Sequence, residues 1–124
     1  MNTTTTNKLV TPELKKALEN YPLYSQDSKG AAALCIAVFF LGKIRWYILE
    51  GQAEGNDFTF FGIVTGLFDT EYGYISANEL EDVNIDNDGL DTLRVEQDKT
   101  FKPCTISEID DVELKSFLSR LYSK

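Results

Sequence analysis

Residues 33–68 read ALCIAVFFLGKIRWYILEGQAEGNDFTFFGIVTGLF, and the fold follows from how this stretch divides. Leu34 to Leu41 is an unbroken apolar run with β-branched and aromatic members, too short between its glycines for a globular helix, and is therefore a strand. Gly42-Lys43 is a two-residue turn with glycine at the first central position, where a type II′ hairpin needs positive φ. That turn sets the register: Leu41 faces Ile44, Phe40 faces Arg45, Phe39 faces Trp46, Val38 faces Tyr47, Ala37 faces Ile48 and Ile36 faces Leu49. One side of the hairpin carries Ala37, Phe39, Leu41, Ile44, Trp46 and Ile48. The other carries Ile36, Val38, Phe40, Arg45, Tyr47 and Leu49 and is also largely apolar. A hairpin greasy on both sides requires cover on both, from helices, another layer or a partner chain.

Phe58 to Phe68 supplies a third strand after a loop from Gly51 to Asp57. Gly62 and Gly66 lie four residues apart, on the side of Phe58, Phe60 and Val64. Glycine inside a strand marks a bulge or a close approach by something large. Two readings follow: the glycines make room for Trp46 or Tyr47 of the neighbouring strand, or they form a slot for a flat ligand.

Outward from this centre, Thr11-Pro12-Glu13 starts a helix running to Asn20, with a threonine cap and proline in the first turn. Tyr21 to Gln26 reads as extended, before a loop through Lys29-Gly30. After a turn at Asp69 to Glu71, Tyr72 to Ile75 is a fourth strand with Tyr72 and Tyr74 on one face. It runs into a capping box, Ser76 to Glu79, that opens a short helix. Leu93 to Val95 is a further short strand. Ser107 to Asp110 reads as the N-terminus of a last helix whose stripe is Leu114, Phe117, Leu118 and Leu121. The expected fold is α+β: a mostly antiparallel sheet of four or five strands with N- and C-terminal helices packed on it, one domain over residues 1–124 with a flexible tail at 1–8.

The chain has 124 residues, 43% of them hydrophobic, enough for a core without disulfides or metal. No apolar run approaches the ~20 residues of a membrane helix, and the threonine-rich start has no signal-peptide core. The chain is therefore read as cytoplasmic, with no membrane partner and with Cys35 and Cys104 as reduced thiols. There is no histidine, which excludes Ser-His-Asp and Cys-His hydrolysis and the common zinc sites. No Gly-rich phosphate loop is present. Asn84, Asp86, Asp88 and Gly89 imitate the start of a calcium loop, but the twelfth position is Val95 instead of glutamate, and a solvated Asn-Asp-Gly turn explains them. No cofactor, metal or catalytic residue is expected.

Pro22-Leu23-Tyr24-Ser25-Gln26, Lys29-Gly30, Phe39-Phe40, Trp46-Tyr47, Glu50, Phe60-Phe61-Gly62, Val64, Gly66, Tyr72-Gly73-Tyr74, Ser76, Glu79-Leu80-Glu81, Gly89-Leu90, Phe101 and Pro103 occur in one order and spacing. In these motifs, from about Leu9 to Ile109, the chain resembles the bacterial domain-of-unknown-function family 2958, small single-domain proteins common on plasmids, conjugative elements and phages. The resemblance implies a mobile-element context and brings no activity with it.

Charge narrows the partners. Residues 1–50 carry a net +2 and residues 51–124 a net −10. That balance argues against direct nucleic-acid binding, which rests on Lys and Arg neutralising phosphates, and suits a basic protein surface. Solubility alone also accounts for it. Three functional readings follow. The first is a non-enzymatic interaction module linked to mobile elements, using Asp82, Asp86, Asp88, Asp91 and the tyrosines Tyr24, Tyr72 and Tyr74; its special case is an acidic mimic of nucleic acid. The second is a small-ligand site or minor enzyme beside Gly62 and Gly66, with Trp46 or Tyr47 stacking and Arg45, Glu50 or Glu54 as polar groups. The third is a homodimer through an uncovered hairpin face.

Overall fold

In a computed structural model, which describes residues 7–87 and 91–122, the hairpin forms as its turn dictates. The chain opens with helix α1 (Pro12–Leu18), then strands β1 (Leu34–Cys35), β2 (Ala37–Leu41), β3 (Ile44–Glu54), β4 (Asp57–Thr65) and β5 (Glu71–Ser76). Helix α2 (Ala77–Asp82), β6 (Asn84–Asn87), β7 (Asp91–Arg94), β8 (Glu96–Gln97), β9 (Cys104–Thr105) and helix α3 (Val112–Tyr122) follow. β5, β4, β3, β2 and β8 make one five-stranded sheet in that order, every neighbouring pair antiparallel. β1 pairs with β9, and β6 with β7. The fold is α+β.

Gly42 takes φ +58°, and the five pairs from Ala37 opposite Ile48 to Leu41 opposite Ile44 form. The sixth expected pair does not: the chain breaks between β1 and β2, and the Ile36 amide donates to the Ile48 carbonyl at 2.7 Å. Ile36 consequently joins the core of the first face, with Phe39, Trp46, Ile48 and Phe60. The expected Gly51 to Asp57 loop is shorter, because β3 continues to Glu54 and the turn is Gly55-Asn56.

Both faces are covered from within the chain. Leu14 and Leu18 of α1 and Ala77 and Leu80 of α2 pack on the first face. Leu114 and Leu118 of α3, with Ile106 and Ile109, pack on the second, against Val38, Tyr47, Leu49 and Ile63. Leu121, expected in the buried stripe of α3, is 50% exposed. The open hairpin face invoked for a homodimer is thus filled by α3.

Helix ends are set by single side chains. Thr11 caps α1, its Oγ1 accepting from the Leu14 amide at 3.1 Å. Ser76 caps α2 through the Glu79 amide at 3.1 Å. The last helix begins later than Ser107: residues Ile106–Glu108 form a separate 3₁₀ turn closed by a Thr105–Glu108 capping box. Asp111 then caps α3, Oδ1 accepting from the Glu113 and Leu114 amides at 2.9 and 3.1 Å. Of the expected tail, Asn7 and Lys8 are tied to α2 through Asn78 and Glu81; the rest of it lies outside the described residues.

Candidate functional site

The site begins with one irregularity in β3. The β3–β4 register runs Ile48 opposite Gly62 and then Glu50 opposite Phe61, so Leu49 is an extra residue. A bulge of this kind places two successive side chains on the same side of a strand. Strict alternation from Ile48 would return Glu50 to the first face; the bulge sends both Leu49 and Glu50 to the second. Gly62 permits it: a Cβ there would overlap the Tyr47 carbonyl oxygen. At Gly66, φ is +89° and a Cβ would strike the Lys43 backbone. Neither glycine forms a ligand slot, and neither makes room for an aromatic ring; backbone fills the space over both.

Glu50 is 2% exposed. Its Oε1 accepts from the Tyr24 amide and its Oε2 from the Gln26 amide, each at 2.7 Å. Expected as a polar group of a ligand site beside Gly62 and Gly66, it is instead a buried carboxylate that organises the 21–28 segment. That segment is a series of turns, not extended chain. Gln26, 5% exposed, completes the anchor: Nε2 donates to the Leu34 and Leu49 carbonyls at 2.9 and 2.8 Å, and Oε1 accepts from the Leu34 amide at 2.7 Å.

This anchoring holds Tyr24 at φ +76°. The left-handed region costs a bulky residue about 1–2 kcal/mol, and Tyr24 is nonetheless 62% exposed. Its ring meets Tyr74 edge-on, centroids 6.4 Å apart. From there the aromatic surface is continuous: Tyr74 to Phe61 at 5.1 Å, Phe61 stacked on Tyr72 at 5.5 Å with planes 4° apart, and Tyr72 edge-on to Phe117 at 5.5 Å. The Tyr72 and Tyr122 hydroxyls are 2.7 Å apart. Burial and that hydrogen bond push the Tyr72 phenol above its ordinary value. Contact with the Tyr24 hydroxyl pushes the Tyr74 phenol up to about 12, with Asp27 and Glu50 adding to it. The Tyr72 and Tyr74 phenols are therefore neutral at physiological pH, with electron-rich ring faces.

Beside this surface lies a cleft of about 220 Å³, with Phe61, Tyr72 and Tyr122 as aromatic walls, Asp27 and Glu50 as carboxylates, and Gly30 at its edge. Aromatic faces beside carboxylates attract cations, through the ring quadrupole and through charge.

The other sequence candidates lie elsewhere. Tyr47 is 5% exposed and beneath α3, its hydroxyl donating to Asp111 at 2.5 Å, so it cannot stack on a ligand. Thr65 donates to the same carboxylate oxygen at 3.1 Å. Burial raises the Asp111 pKa, but the hydrogen bonds from Tyr47, Leu114, Thr65 and Glu113 outweigh it and hold the carboxyl below its usual range. Trp46 belongs to the first face and borders a separate open groove of about 370 Å³ with Leu67, Tyr74 and Val83. Asp82 ends α2, and Asn84, Asp86 and Asn87 lie in β6, paired with Arg94, Thr92 and Asp91 of β7; Asp88 and Gly89 of the expected Asn-Asp-Gly turn fall outside the described residues. Of the expected site residues, the cleft and its aromatic rim unite Tyr24, Glu50, Tyr72 and Tyr74.

Reading the sequence alone missed Asp27, Phe61 and Tyr122. Phe61 was within reach, because pairing β4 with β5 places it opposite Tyr74. Asp27 and Tyr122 reach the site only through the docking of the 21–28 turns and of α3. Compared with known proteins, the chain matches no family model, no curated protein and no solved structure.

Proposed function

We propose that this chain is a non-enzymatic interaction module that docks a basic segment of a protein partner on its Tyr24–Tyr74–Phe61–Tyr72 surface, one cationic side chain entering the Asp27/Glu50 cleft. The observation that carries the reading is Tyr24, an exposed aromatic residue fixed at φ +76° by a buried carboxylate. Exposed residues held in strained backbone cluster at binding sites, because the surrounding structure must be built to hold them. The acidic balance of the chain, −8 overall, favours encounter with a basic partner. The cleft volume favours a side chain over a free ligand: about 220 Å³ is below the ~300 Å³ at which small-molecule pockets begin. The motif resemblance to a family common on mobile elements supports a partner of the kind met by plasmids, conjugative elements or phages.

Calorimetric titration with an arginine- and lysine-rich peptide, against an acidic peptide of equal length, tests this. Binding of the basic peptide alone is expected, weakened at least tenfold by Tyr74→Ala and by Asp27→Asn. Equal binding of both peptides, or affinity unchanged in both variants, would sink the reading.

A further inference from the structure

The small β1–β9 ladder places the two cysteines of the chain directly opposite each other, Cys35 facing Cys104. Opposed residues in an antiparallel pair project to the same side, with Cα atoms about 4.5–5.5 Å apart. A disulfide spans Cα separations of about 4.4–6.8 Å. Both side chains are free thiols, and they are unequal: Cys35 is buried and Cys104 half-buried. The Cys35 Sγ donates to the Ala37 carbonyl at 3.3 Å, within the core of the second face. The ladder also has a mechanical position. Next to it, the Ile106 amide donates to the Ala33 carbonyl at 2.9 Å, so it joins the 30–35 segment to the chain that leads into α3.

We propose that Cys35 and Cys104 form an oxidative modification site that a small disulfide closes into an intramolecular bridge. The Cys104 thiolate attacks one sulfur of the small disulfide, whose S–S bond breaks and expels the first small thiolate. The Cys35 thiolate then attacks Sγ of Cys104 in the mixed disulfide, breaking that bond and expelling the second. The protein loses two electrons and two protons, and the small disulfide gains both as two thiols. Burial pushes the Cys35 thiol well above its ordinary value, with Cys104 adding to the rise. Burial and the Glu108 carboxylate also push Cys104 up. Exchange is accordingly slow at neutral pH, since the thiolate is the attacking species. Once formed, the bridge closes the loop between residues 35 and 104 and fixes the cover of the second face. The site does not depend on what the aromatic cleft binds.

The test uses the full reduced chain with excess oxidised glutathione at mildly alkaline pH, followed by alkylation in denaturant and peptide mapping. Expected are joint loss of both thiols in a monomer, a linked Cys35–Cys104 peptide pair, and a melting temperature raised by about 10 °C that reductant reverses. In Cys104→Ser, Cys35 should stay free and the melting temperature unchanged by glutathione. A stable glutathione adduct on Cys104 with Cys35 still free, a disulfide between chains, or folded protein inert under conditions that oxidise the unfolded chain would each overturn the proposal.

Discussion

The two faces of the central sheet are built from different materials. The first is a hydrocarbon core under α1 and α2, in which the Phe60 ring centroid lies 5.6 Å from that of Phe39 and 5.4 Å from that of Phe58. The second buries Gln26, Glu50 and Thr65 alongside its apolar residues and is held in register by directed hydrogen bonds. Apolar packing is non-directional and tolerant of small shifts. Buried polar groups must meet their partners or forfeit desolvation energy. The first face therefore stabilises the fold, while the second spends stability to hold a loop, a helix end and an aromatic surface in one arrangement.

Substitutions can separate these roles. The largest effect should come from the first face: Phe60→Ala removes a fully buried ring and should cost about 3–5 kcal/mol in denaturant unfolding, leaving the affinity of the remaining folded protein for a basic peptide unchanged. A comparable loss of affinity would erase the distinction between the faces.

Glu50→Ala comes next. It leaves the Tyr24 and Gln26 amides without acceptors, at roughly 3 kcal/mol, and should also abolish peptide binding as the 21–28 turns relax. Hydrogen exchange at these two amides is the sharper readout; continued protection in the variant would show that the carboxylate is not the anchor.

Asp111→Ala should cost about 1–2 kcal/mol through the lost cap of α3. It should also alter the pH dependence. The folded-state pKa of Asp111 is depressed, so its contribution is present above the unfolded value of about 3.9 and is lost as pH falls through the folded value. Acid unfolding of the variant should be less steep in that window than that of the parent. Some dependence will persist through Asp98, held low by its hydrogen bonds with Thr100, and Glu108, held low by those with Thr105. An unchanged slope would place the acid sensitivity outside the second face.

The smallest effect has the opposite sign. Tyr24→Gly relieves a left-handed side-chain residue and should raise stability by about 1 kcal/mol or less, while weakening peptide binding. Stability and binding moving together at this position would remove the case for Tyr24 as a strained binding residue.

How much could be read in advance differs along the chain. The hairpin, its register, the two-sided core and the cap residues Thr11 and Ser76 were legible, because each depends on period-two alternation or on a residue next to the feature it controls. The aromatic pair Tyr72 and Tyr74 was legible for the same reason. Glu50 was not, since its side depends on a bulge that alternation cannot announce. The glycines signalled a close approach, but only the packed structure shows that backbone makes it. The start of α3 was misplaced because Thr105, Glu108 and Asp111 offer competing caps and Ile106–Glu108 takes one of them for a separate turn.

By itself the sequence determined the central strands β2 to β5, the turn between β2 and β3, the presence of the terminal helices and an acidic balance, all of them consequences of local backbone preference and of which residues avoid water. The tertiary structure alone decided that Asp27, Glu50, Phe61, Tyr72 and Tyr122 line one cleft. Their meeting depends on β3 bulging over Gly62, on the 21–28 turns closing onto Glu50, and on α3 crossing the second face. Each of those steps is fixed by contacts between residues far apart in the chain, where no local pattern records them.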